Sequence, residues 1–190
     1  MDEFRDAMMK TGLVIVDIQN DYFAGGNMTL VGMEAAATNA SDLLAYFRGA
    51  GQLLYHVQHL SIRPGATFFL PDTPGVEIHE TVKPKPGEPI VQKHFPNAFR
   101  DTTLLETVRN DGVEHLVICG AMSHMCIDAT TRAAFDLGFK CTVIEDACAT
   151  RDLTFHGERV PAQNVHAAFM AALSVPYASI VTAKDYKAST

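Results

Sequence analysis

Two hydrophobic patterns alternate along the chain. Six short apolar runs stand out: GLVIVDI (12–18), QLLYHV (52–57), EPIVQK (88–93), HLVICG (115–120), KCTVIED (140–146) and YASIVTA (177–183). None alternates apolar with polar residues, so each predicts a strand buried on both faces, as in a parallel sheet covered by helices. The segments between them have helical spacing. Val31 to Ala50 puts Leu43, Leu44 and Phe47 on one stripe and stops at Gly49 and Gly51. Thr102 to Asn110 predicts a short helix with Asp101 as its N-cap. Gly120 to Phe139 opens a third helix, and Pro161 to Leu173 a fourth with proline in its first turn. The pattern predicts a doubly wound α/β fold, a three-layer α/β/α sandwich around a parallel sheet of about six strands. One domain over residues 1–190 is expected. Arg63 to Gly87 fits neither pattern; its prolines and glycines predict a long excursion over the strand ends.

Composition narrows the function. Hydrophobic residues make up 47% and charged residues 19%, which is globular. The net charge of −7 argues against nucleic acid or an anionic membrane as partner, since both attract basic surfaces. No apolar run approaches the roughly 20 residues that span a bilayer. MDEFRDAMMK lacks the basic and apolar regions of a signal peptide, so a cytoplasmic, reducing location is expected. The four cysteines, Cys119, Cys126, Cys141 and Cys148, form no CxxC pair. Cys119 and Cys141 lie in strand-like runs and read as small buried hydrophobes.

Ligands in such folds bind beyond the carboxyl ends of the strands. There the chain places Asp17, His56 and His59, Lys93, Gly120 to Cys126, and Asp146. With Ser123 as N-cap, Cys126 falls on the third helical position, where free N–H groups and the helix dipole favour a thiolate. The same N–H groups can receive an oxyanion. Packing is the alternative role for this cysteine. Asp17 ends an apolar run and needs a partner or a function, either as a cap or as a base. Lys93 is either a solvated strand-end lysine or the partner of Asp17.

Three motifs in order, DIQNDY from Asp17, KHFPNAF from Lys93 and GAMSHMCIDATTRAA from Gly120, resemble those of the isochorismatase-like cysteine hydrolases. EDACATRD (145–152) and VPAQNVHAAFMAAL (160–173) extend the resemblance over about Gly12 to Ala183. The resemblance implies a triad. Cys126 attacks a carbonyl carbon to form a thioester, Asp17 moves the proton, and Lys93 holds Asp17 and lowers the thiol pKa. It also implies a cis peptide between Ala121 and Met122, with the N–H groups of Met122 and Cys126 as oxyanion hole. The activity implied is metal-independent cleavage of a C–N bond in a small amide-type substrate. Isochorismatase-type vinyl-ether hydrolysis is the alternative, although its best-known enzymes lack the cysteine. A thiol redox or sensing protein, with Cys119 as resolving thiol, is a third reading.

Relatives that hydrolyse nicotinamide hold a metal through a D-x-H motif after the second strand. Here YHVQHLS puts Val57 where the aspartate would stand if His59 is the histidine, and valine cannot ligate. His56 and His59 lack an obvious third donor, so neither metal nor other cofactor is expected. Tyr22, Phe23, His59, Phe95, Phe99 and His124 are the candidate pocket residues, with Phe68 and Phe69 above the rim. Asp146, Cys148 and Arg151 read as structural. The partner expected is a small-molecule substrate. The resemblance also implies a homo-oligomer whose neighbouring subunits can contribute to the pocket.

Overall fold

The computed structural model describes residues 9–189; the reading of the first residues as free of a signal peptide falls largely outside them. Six strands form one parallel sheet: β1 (Thr11–Val16), β2 (Leu53–His59), β3 (Ile90–Lys93), β4 (His115–Ala121), β5 (Lys140–Ala149) and β8 (Ser179–Val181). Their order is β3-β2-β1-β4-β5-β8. From β1 the chain winds outward to β2 and β3, then returns to the other side of β1 as β4. That reversal lies between β1 and β4, where doubly wound folds open a crevice.

The apolar runs explain the layers. Along β1, Leu13 and Ile15 point to one side and Val14 and Val16 to the other, and all are buried. The first side packs on α1 (Met33–Gly49), through Met33, Ala40, Leu43, Leu44 and Phe47, and on Tyr186 of α5 (Ala183–Ser189). The second packs on α2 (Leu104–Asn110), α3 (Asp128–Asp136) and α4 (Ala162–Leu173), through Leu104, Val108, Ala134, Met170 and Leu173. Each large apolar side chain fully removed from water contributes about 1.5–3 kcal/mol. Among the described residues no helix is long and apolar enough to cross a membrane.

Some local expectations are corrected. Asp101 does not cap α2. It adopts a left-handed backbone (φ 55°) three residues before Leu104, too early to reach the helix's free N–H groups. Thr102 Oγ1 accepts the Leu104 N–H instead, at 3.3 Å. Ser123 is not an N-cap either. Ser123–Ile127 is a π-helical turn, with Ile127 N–H bonded five residues back to Met122 O, and regular helix starts only at Asp128. The antiparallel pair β6 (Leu153–Phe155) and β7 (Glu158–Val160) was not anticipated. Its two-residue turn, His156-Gly157, takes positive φ at both positions (50° and 83°), as primed hairpin turns require.

Gly120 is where a side chain is impossible. Its φ is 124°, and a β-carbon there would collide with the Val16 carbonyl of β1. The glycine lets β4 run flush against β1 up to the point where both strands deliver their site residues.

Candidate active site

Asp17 follows β1 directly. Its backbone is left-handed (φ 54°) and its N–H donates to Val57 O of β2 at 3.0 Å. This turn at the strand end presents the carboxylate beyond the sheet. Lys93 is the last residue of β3 and pairs in register with His59, the last of β2, so their side chains leave the same face as neighbours. Cys126 lies in the π turn after β4, beyond a cis peptide at Ala121–Met122. The cis bond stands where the resemblance implied one.

Thus three strand ends converge on one ammonium. Lys93 Nζ is 2.7 Å from Asp17 Oδ2. It donates to Cys126 Sγ at 3.2 Å, and sits 2.8 Å from His59 Nδ1 and 3.1 Å from Phe95 O. Lys93 and Asp17 are both 0% exposed and Cys126 is 5% exposed. Despite the ion pair, neither oxygen of Asp17 receives a well-directed hydrogen bond among the described residues. A buried carboxylate left short of donors is uncommon.

The electrostatics follow from these contacts. Burial opposes the Lys93 charge, but Asp17 and Cys126 outweigh it and hold the amine protonated above its usual range. An ammonium can only donate, so His59 Nδ1 accepts and the imidazole carries its proton on Nε2. Burial and the Lys93 charge keep that ring neutral against the pull of Asp17, its pKa lowered to about 4. Cys126 departs from the expectation of a lowered pKa. Burial and the neighbouring Asp17 charge push the thiol well above its ordinary value, and Lys93 only partly offsets them. Burial, with Asp17, outweighs the helix-start effect argued from sequence, and the turn is π-helical where a regular helix start was expected.

A cavity of 480 Å³ opens over Cys126. Tyr22, His59, Phe95, Met122 and Cys126 line it, together with Phe68, Phe69, Pro96, Met125, Ser61, Ile62, Arg63 and His94. Tyr22, Phe68 and Phe69 form one aromatic wall, with ring centroids 4.6 to 6.1 Å apart. Three expected lining residues are elsewhere. Phe23 is stacked on His79 at 3.5 Å. Phe99 stacks on Phe139 against the core beneath α2 and α3. His124 Nδ1 pairs with Thr150 Oγ1 at 2.6 Å and its ring meets Phe169. All three are drawn off by partners distant in sequence.

Two positioning residues were missed inside the DIQNDY motif. Gln19 donates to His59 O and Val76 O at 2.9 and 2.7 Å and accepts from His59 N–H at 2.7 Å, clamping the end of β2. Asp21, 1% exposed, accepts the Phe69 N–H at 2.6 Å and thereby hangs the aromatic wall. Gly75 packs against this carboxylate where a β-carbon would clash. Neighbouring apolar residues gave these two polar side chains the only sequence signal, burial without an evident partner.

The donor set does not fit a resident metal. One ligand atom each from Asp17, His59 and Cys126 lies within 4.8 Å of the others, a geometry that can surround a cation. Yet Lys93 Nζ contacts all three residues, so the cage already holds a positive charge. Val57 is buried apolar core, and His56 pairs with Glu88 at 3.0 Å.

Comparison with known proteins identifies the family. Residues 11–183 match the model of the isochorismatase domain. The chain belongs to the isochorismatase family. Isochorismatase family protein YddQ of Bacillus subtilis is 50% identical over 178 residues, covering 94% of this chain and 99% of that protein. A crystal structure of an isochorismatase-family protein from Oleispira antarctica, also 50% identical, superposes with a TM-score of 0.91 over 95% of this chain and 97% of that one. Streptothricin hydrolase of Streptomyces noursei is 38% identical over 143 residues, 74% of this chain and 50% of that protein. Ureidoacrylate amidohydrolase of Variovorax paradoxus is 26% identical over 170 residues, 72% of this chain and 68% of that protein.

Proposed function

We propose that this isochorismatase-family hydrolase cleaves the C–N bond of a small amide-type substrate through a thioester on Cys126. The observation that carries the reading is the single ammonium of Lys93, shared between the Asp17 carboxylate and the Cys126 sulfur at 2.7 and 3.2 Å. The amidohydrolase among the relatives supports the bond type.

The resting thiol keeps its proton, since burial and Asp17 raise its pKa. Attack is therefore coupled to proton transfer. As the sulfur bonds to the carbonyl carbon, Asp17 takes the thiol proton, and Lys93 stabilises the anionic sulfur forming beside it. The carbonyl oxygen becomes an oxyanion, received by the N–H groups of Met122 and Cys126. On collapse the C–N bond breaks and Asp17 returns its proton to the departing amine. Water then gives a proton to Asp17 as it adds to the thioester. The carbon–sulfur bond breaks, sulfur regains the proton, and the acid leaves. Lys93 holds Asp17 throughout, and neutral His59 accepts from Lys93, turning the ammonium without competing for charge.

The redox alternative has less support. Cys126 is 5% exposed with a raised pKa, whereas sensing thiols are accessible and acidic. Cys119 packs with Leu13 and Ile15, and Cys126 with Val14 and Val16, on opposite faces of the sheet. A panel of small amides and ureas, assayed for ammonia or amine release, tests the proposal. Turnover of at least one member by wild type, abolished in Cys126→Ala, is expected. Equal turnover by Cys126→Ala would refute it.

A further inference from the structure

The catalytic turn is also held from a side that the proposed chemistry does not use. Ser123 opens the π turn and is 0% exposed. Its hydroxyl donates to Ala149 O of β5 at 3.3 Å and lies 2.8 Å from His166 Nδ1 of α4. A hydroxyl has one hydrogen. Both contacts are satisfied together when Nδ1–H of His166 donates to Ser123 Oγ and Ser123 donates onward to Ala149. The result is a directed chain from helix to turn to strand. His166 belongs to the VPAQNVHAAFMAAL motif, to which the triad assigns no role. It lines a second cavity, of 290 Å³, together with Glu145, Cys148 and Gln163. This cavity shares no lining residue with the one over Cys126. His124, the next residue of the turn, is tied to Thr150 at 2.6 Å, so two successive side chains fasten the turn to the end of β5.

We propose that His166 is a positioning residue: acting through Ser123, it sets the orientation of the turn that carries Cys126 and the Met122 N–H. The inference rests on the reading of Cys126 as nucleophile. A hydrogen bond that fixes one end of a five-residue turn controls the reach of a sulfur three residues on, and misplacement of about 1 Å costs up to about a hundredfold in rate.

The experiment compares wild type with His166→Ala, His166→Asn, Ser123→Ala and the double alanine variant. Asparagine places an amide nitrogen close to the position of Nδ1. One readout needs no substrate: the rate at which iodoacetamide alkylates Cys126, followed on its peptide by mass spectrometry. The other is kcat and KM on an amide that wild type turns over. His166→Ala should slow alkylation and lower kcat by about tenfold with KM within about twofold, and His166→Asn should recover most of both. Ser123→Ala should match His166→Ala, and the double variant should be no worse than either single one. Alkylation of His166→Ala within about twofold of wild type, no recovery with asparagine, or multiplying effects in the double variant would each overturn the proposal. Should His166→Ala fail to fold, the Ser123→Ala and His166→Asn results decide. Lack of any amide turnover refutes the proposed function, while the alkylation series still judges the positioning role.

Discussion

Strands β2 and β3 connect two charge clusters of opposite character, one partly buried and one fully buried. At one end, Glu88 accepts from Arg48 Nε and Nη2 at 2.7 Å each, from Lys85 N–H at 2.8 Å, and meets His56 Nε2 at 3.0 Å. Arg48 above all, against the cost of burial, holds its carboxyl down at about 2. At the other end, a few residues along the same strands, Asp17 is more deeply buried and has an ammonium at 2.7 Å but, among the described residues, no well-directed hydrogen bond. Both oxygens of the Glu88 carboxylate have donors, although Nδ1 of His56 in the same cluster has no hydrogen-bond partner among the described residues. The Asp17 carboxylate has no well-directed donor at either oxygen among the described residues, and it lies beside a protonated thiol and under a cavity. Satisfaction of hydrogen bonds, more than the presence of an ion pair, separates a structural carboxylate from a reactive one.

Substitutions can break that contrast. The largest effect is expected from Asp17→Asn, which keeps the shape and removes the proton acceptor. Turnover should fall by about 10³ or more, read as kcat on any amide that wild type cleaves. Lys93→Met, which keeps the stem and removes the charge, should lower kcat/KM by about 10²–10³ and slow iodoacetamide alkylation of Cys126 in parallel. Glu88→Gln should do the reverse. It should leave kcat unchanged and cost about 2 kcal/mol of stability at neutral pH, measured by urea unfolding. The sign with pH follows from a depressed carboxyl. The Glu88 contribution is fully present above the ordinary value of 4.5 and is lost as pH falls toward about 2. The two proteins should therefore converge in stability at acid pH.

The smallest effect sharpens the comparison. His59 stays neutral in the fold down to about 4, whereas the unfolded chain takes up a proton near 6.5. Its lowered pKa therefore weakens the fold progressively as pH drops through that window. His59→Gln, which retains an acceptor for Lys93, should flatten stability between pH 6.5 and 4 and reduce kcat only several-fold, by about 1 kcal/mol of barrier. Unchanged pH dependence in that variant would show that another group governs the window.

Much of this was legible before any coordinates. The apolar runs showed the six strands of the sheet in order, and their ends located Asp17, Lys93 and Cys126. The edge strands, however, are not buried on both faces as expected: Ile90 and Gln92 of β3 and Ser179 of β8 are exposed, because no described strand or helix covers them there. Features set by tertiary contacts were not visible. The raised pKa of Cys126 comes first from burial and then from Asp17, 109 positions away, and the π turn that carries the thiol is announced by no local pattern. Phe23 and Phe99 were expected at the pocket from nearness in sequence, and each instead found a ring, on His79 and Phe139, that sequence could not pair with it. Gln19 and Asp21 lay inside a quoted motif, but the contacts by which they position the site are to backbone groups 40 or more residues away; Asp21 is also held locally by Asn27, at 3.0 Å. The hairpin at 153–160 was missed because its strands are three residues each and mostly exposed, leaving only the His-Gly turn as a signal.

The central claim is a covalent intermediate on a cysteine that rests as a thiol. Rapid acid quench of wild type during turnover of an active amide, followed by intact-mass and peptide analysis, tests it directly. The expected result is a mass increase equal to the acyl group, confined to the peptide bearing Cys126, that decays as product acid appears. Steady turnover with unmodified Cys126 at every quench time, together with undiminished activity in Cys126→Ala, would contradict it.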